Sequence, residues 1–138
     1  MTFFSRKDIG RVYVIRMELP DDSVIHKIGM CKSDRATDRM MEVLRSWFTK
    51  YRFVPFTTLR IDMETSRPLE LEAHMHKMLK AYQFQPSCKV DGGTEMFYGL
   101  DEFRLLHYLR VFDDRMFDTP LVLSDEQYKY LGKWLANA

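Results

Sequence analysis

Long apolar runs, cysteine and an excess of one charge are all scarce in this chain. No stretch approaches the roughly 18 apolar residues of a membrane span. The amino-terminal MTFFSRKDIGR has neither the apolar core nor the cleavage site of a signal peptide. A cytoplasmic protein without a membrane partner is expected. The two cysteines, Cys31 and Cys88, form no CxxC pair and no zinc spacing, which fits reduced thiols. With 21 Lys and Arg against 20 Asp and Glu, the net charge is +1, so the basic surplus of a dedicated nucleic-acid binder is missing. Also missing are a Gly-rich phosphate loop, an HExxH helix, a nucleophile-elbow serine, internal repeats and any low-complexity linker.

What is present is 138 residues, 46% hydrophobic, enough for one domain to bury a core unaided. Val12 and Val14 alternate with Tyr13 and Ile15, the period of a strand. The turn residues LPDDS follow, and VIHKIG returns as a partner strand that Gly29 is expected to end. From Asp38 the period changes to that of a helix, with Met40, Val43, Leu44, Trp47, Phe48 and Tyr51 on one stripe. RFVPFTTLRIDM reads as a third strand with Pro55 near its start. Ser66 and Pro68 read as the cap and first turn of a second helix, with Leu71, Met75, Met78, Leu79 and Tyr82 as its apolar stripe. DGG at 91 to 93 marks a turn before TEMFYG. The tail carries LDEFRLLHYLRVF and, behind a capping box of Ser124 and Gln127, a last helix. The order is ββαβα followed by more helix, and the ten methionines fall mostly where helices need packing.

Several residues suit chemistry. Glu72 and His76 are spaced i, i+4 and rise from one helix face. His74 and His76 point to opposite sides of that helix, so HMH is no zinc motif. A lone carboxylate suffices for Mg²⁺, which keeps several waters and takes substrate phosphate as further ligands. Arg39 lies off the apolar stripe of the first helix, suited to pair with a phosphate.

Taken in order, VYV at 12 to 14, KIG at 27 to 29, DRMMEVL at 38 to 44, ELEAHMHKML at 70 to 79 and TEMF at 94 to 97 resemble the GIY-YIG nuclease superfamily. The likeness is to its phage-type branch, with KIG as the second motif, and covers about residues 11 to 100. It implies an α+β fold, a small antiparallel three-stranded sheet flanked by helices. Residues 1–100 then form the nuclease domain, and 101–138 a helical extension packed on it. By the same resemblance Tyr13 takes the place of the GIY tyrosine, which works with a water as general base or nucleophile activator. Lys27 stands where the YIG tyrosine stands, and Gly29 gives close approach to the first helix. Arg39 stabilises charge on the scissile phosphate, with Arg35, four residues earlier, as its competitor. Glu72 holds one Mg²⁺ or Mn²⁺. His76 and Glu95 match positions of the phage-type branch, as candidates to orient water, Lys27 or the leaving group.

The activity implied is a metal-dependent DNA endonuclease of phage or mobile-element origin. The alternative is a non-catalytic module on the same fold, acting on a host protein or on DNA. The tail has seven Asp and Glu against five Lys and Arg, poor for reading DNA and better suited to a protein partner or a homodimer surface.

Overall fold

The computed structural model describes residues 10–32, 35–87, 90, 93–114 and 123–136; Cys88, Asp91 and Gly92 lie outside them. In chain order the elements are β1 (Gly10–Glu18), β2 (Val24–Lys32), α1 (Ala36–Tyr51), β3 (Phe56–Thr65), α2 (Pro68–Met78), β4 (Met96–Tyr98), α3 (Glu102–Asp114) and α4 (Asp125–Leu135). The class is α+β, and the sheet is antiparallel in the order β3-β1-β2-β4. It has four strands where the sequence suggests three. The addition, β4, is three residues of TEMFYG, too short to show an alternation. It pairs with β2 from Ile25 to Lys27.

Val12, Tyr13, Val14 and Ile15 are all fully buried because both faces of β1 are covered. Val12, Val14, Ile28 and Ile61 meet Leu71, Met75 and Leu79 from α2 and its end, Leu105 and Leu109 from α3, and Leu135 from α4. Tyr13, Ile15, Met17 and Ile25 meet Val43 and Trp47 of α1 on the other face. The alternation in β1 therefore sorts side chains between two cores, not between core and water.

Three local expectations need correction. Gly29 does not end β2, which runs on to Lys32. Phe48 is 51% exposed, because it stands about 100° around α1 from the buried Trp47. Ser66 is not the cap of α2: Arg67 holds that position without a side-chain cap, while Pro68 occupies the first turn as expected. The Arg67 amide donates instead to Thr65 Oγ1 at 3.1 Å. The Ser124–Gln127 capping box of α4 is present in both directions.

The tail helices are fastened to α2 by a buried polar cluster. His74 is 3% exposed, with Nδ1 3.0 Å from the Tyr128 hydroxyl and Nε2 2.8 Å from that of Tyr108. Behind it, a Cβ on Gly132 would fall 2.5 Å from the Met78 carbonyl oxygen, so glycine sets the approach of α4 to the end of α2. Among the described residues no helix is long and apolar enough to cross a membrane.

Burial lowers the His74 pKa from 6.5 to about 4. Between those values the unfolded chain binds the extra proton, so stability is lost as pH falls from about 6.5 toward 4. The loss is at most on the order of 3 kcal/mol. Thermal melts across that range should show a falling midpoint, with a shallower fall in His74→Gln. His26, also shifted down by burial, keeps part of the slope in the variant.

Candidate active site

The β1–β2 register builds the centre of the site. Tyr13 stands opposite Gly29 and Ile15 opposite Lys27, so Tyr13 and Lys27 are diagonal neighbours on one face. The Lys27 Nζ donates to the Tyr13 hydroxyl oxygen at 2.6 Å and lies 4.6 Å from the ring centre. It donates also to Glu95 Oε2 at 2.6 Å. Both Tyr13 and Lys27 have no exposed surface. The contact needs glycine at 29, where a Cβ would sit 2.5 Å from the Tyr13 oxygen and 2.8 Å from Lys27 Nζ. Gly29 thus makes room for these two side chains.

Glu95 arrives from the turn Gly93–Glu95 directly before β4, whose first residue, Met96, pairs with Lys27. The outer side of that segment is tied down by Gln83 Nε2, which donates to the Thr94 carbonyl at 2.9 Å, and by the Phe84 amide, which donates to the Met96 carbonyl at 2.8 Å.

Because β4 covers β2 only from Ile25 to Lys27, the next outward-facing backbone groups of β2 need other partners. Helix α2 supplies them. His76 Nε2 donates to the Ile28 carbonyl at 2.8 Å, its ring 5.4 Å from that of Phe97. The Met30 amide hydrogen-bonds the Glu72 carboxylate. His76 is therefore an anchor of α2 on the sheet edge and not a partner of Lys27.

Glu72 is half-buried, and its Oε2 is inaccessible and without a hydrogen-bond partner among the described residues. Burial and then the Glu95 charge push its carboxyl pKa up, against the opposing pull of His76, Lys27 and the Met30 amide. A buried carboxylate oxygen with nothing bound to it is costly, and a divalent cation or a proton answers that cost. Among the described residues no three His, Cys, Asp or Glu side chains form a metal cage. The donor set is one carboxylate, with Glu95 as the neighbouring acid, and it suits an ion that keeps its waters.

Arg39 and Arg35 stand on α1 and its flank, joined through one acid. Arg35 Nη2 reaches Glu42 Oε1 at 3.0 Å, and Arg39 Nη1 pairs with Glu42 Oε2. Among the described residues neither arginine pairs with Glu72. The structure thus brings Tyr13, Lys27, Gly29 and Glu95 into direct contact, sets Glu72 and His76 on the adjoining strand edge, and holds the two arginines in their own cluster. Glu42 was not singled out in the sequence, although its i+3 and i+7 spacing from the arginines is a legible signal. The two backbone groups of β2 had no such signal. Cys31 is buried, its thiol pKa pushed up chiefly by burial, consistent with an inert thiol.

No curated protein and no solved structure matches the chain. The profile of the T5orf172 domain matches residues 10–113, from the start of β1 almost to the end of α3. That domain is found in phage and mobile-element nuclease contexts. Sheet, candidate site and most of α3 all lie within the matched span, and the chain belongs to the T5orf172 domain family.

Proposed function

We propose that the chain is a metal-dependent DNA endonuclease of the GIY-YIG type, of phage or mobile-element origin and active in the host cytoplasm. The observation that carries this reading is the orphaned Oε2 of Glu72 beside the Tyr13–Lys27–Glu95 contact. Membership of the T5orf172 family supports it.

Glu72 would hold one Mg²⁺ or Mn²⁺, which supplies Lewis-acid stabilisation of the phosphate and a polarised water. The chain's own residues supply the rest. The Tyr13 oxygen already accepts a hydrogen bond from Lys27, so its own O–H is left to interact with a water. Charge developing on that oxygen meets an ammonium 2.6 Å away. Glu95 fixes Lys27 and is a positioning residue. Arg39, with Arg35 beside it, balances charge on the scissile phosphate.

A second reading is favoured by one observation. Tyr13 and Lys27 have no exposed surface, which suits a module that binds DNA or a host protein without cutting. A homodimer or protein partner through α3 and α4 belongs to either reading.

Supercoiled, branched and single-stranded DNA incubated with Mg²⁺, Mn²⁺ or EDTA separates the two. Metal-dependent cutting is expected, falling at least about a hundredfold in Glu72→Gln and about tenfold to a hundredfold in Arg39→Ala. Gly29→Ala should also abolish cutting by displacing the Tyr13 hydroxyl. Full activity in Glu72→Gln would sink the assignment, and silence of the unaltered protein on every substrate selects the binding module.

A stability measurement checks the metal site without turnover. An acid whose folded pKa is raised binds more protons in the folded state, so its contribution to stability falls as pH rises from its unfolded value through the folded one. At neutral pH, Glu72→Gln should therefore melt higher than the unaltered protein in EDTA. Mg²⁺ or Mn²⁺ should raise the midpoint of the unaltered protein and leave the variant unmoved. Equal metal response in both proteins removes Glu72 as the ligand.

A further inference from the structure

Helix α1 shows one carboxylate bridging two guanidinium groups. Residues 35, 39 and 42 fall within about 60° of one another around the helix axis. Each oxygen of Glu42 takes a different arginine, Oε1 that of Arg35 and Oε2 that of Arg39. Two oxygens of one anion shared between two arginine forks is also how a phosphodiester is held. The three side chains remain reachable, at 51% exposure for Arg35, 34% for Glu42 and 30% for Arg39.

We propose that Arg35 and Arg39 form a single two-armed phosphate clamp, and that Glu42 is its built-in competitor, an anion that fills the clamp until a nucleic-acid phosphate displaces it. This rests on the endonuclease reading for its ligand, and it resolves the choice between Arg35 and Arg39 by giving both a part. The energetics suit exchange. A partly exposed ion pair contributes only about 0–1 kcal/mol, so Glu42 delays binding without preventing it. A phosphate that also gains contacts elsewhere on the duplex displaces the carboxylate. Glu42 meanwhile keeps the guanidinium groups oriented, so less side-chain freedom is lost when the phosphate arrives.

The test is equilibrium binding of a labelled 30-base-pair duplex and a branched junction to the full chain in EDTA, at several salt concentrations. Cleavage in Mg²⁺ is measured in parallel. Glu42→Gln should tighten binding about threefold to tenfold. Asp38→Asn, which removes an equal charge from the same helix at a position 3.8 Å from Arg35, should change it less than about twofold. The gain should vanish when Glu42→Gln is combined with Arg35→Ala or with Arg39→Ala. Each arginine replacement alone should lower the log–log salt slope by about 0.9. Glu42→Ala gives a second variant of the same sign, and circular dichroism melts confirm folding of each. Equal gains from Glu42→Gln and Asp38→Asn, or a gain that survives loss of Arg35, overturns the clamp while leaving the endonuclease reading intact. An unaltered protein that neither binds nor cuts any nucleic acid overturns both.

Discussion

Lys27 carries an ammonium to a point without solvent, and much of the site follows from what that requires. An unpaired charge there would cost several kcal/mol, so Tyr13 and Glu95 each stand 2.6 Å from it. Glu95 reaches that point only if the segment before β4 lies against β2, with Met96 opposite Lys27. Tyr13 reaches it only if residue 29 has no side chain. The short β4, the glycine in mid-strand and the acid before the strand are thus consequences of one buried cation. Beyond Lys27 the same register leaves the edge of β2 that faces away from β1 without a strand partner among the described residues, and α2 docks by filling that need with His76 and Glu72.

The cost of this arrangement falls on Glu72. It is half-buried, beside a second acid, with one oxygen unpartnered. A fold selected for stability alone would place an amide or an apolar group here. Positions that oppose folding while holding a partly buried charge with a raised pKa belong to function more often than to architecture. Glu102 shows the contrast. Burial works against its charge too, but His26 at 3.0 Å and Arg60 at 3.0 Å outweigh that and hold its carboxyl below the usual range. Glu102 is a satisfied tie between the start of α3 and the sheet, where Glu72 is an unsatisfied one.

The sequence made the long elements legible because their periods repeat over several turns or pairs: the β1–β2 hairpin, α1, β3, α2, the tail helices and the Ser124–Gln127 box. It hid β4, since three residues carry no period, and it misassigned Gly29, because a strand glycine that admits a neighbour's hydroxyl looks the same as one that ends a strand. The candidate residues Tyr13, Lys27, Glu95, Glu72 and His76 are gathered around β2. The carbonyl of Ile28 and the amide of Met30, which hold His76 and Glu72, were out of reach because backbone groups have no residue code. Glu42 is written in the helical spacing of α1, three residues after Arg39 and seven after Arg35.

The near-neutral composition also takes on a different sense once the pairs are known. Arg11 pairs with Asp62, Arg67 with Glu70, Arg104 with Asp101, and Arg16 and Arg60 with Glu102. Arg35 and Arg39 share Glu42, and Lys27 has Glu95. A net charge of +1 therefore covers a set of arginines held by local acids, and it does not measure how many cations could meet a phosphate. The distinction between them is burial. Lys27 is sealed and its pairing is structural, whereas the Glu42 pairs stand partly in water and exchange at small cost. Local charge that can be unmasked by a polyanion is compatible with weak steering at long range and firm contact at short range.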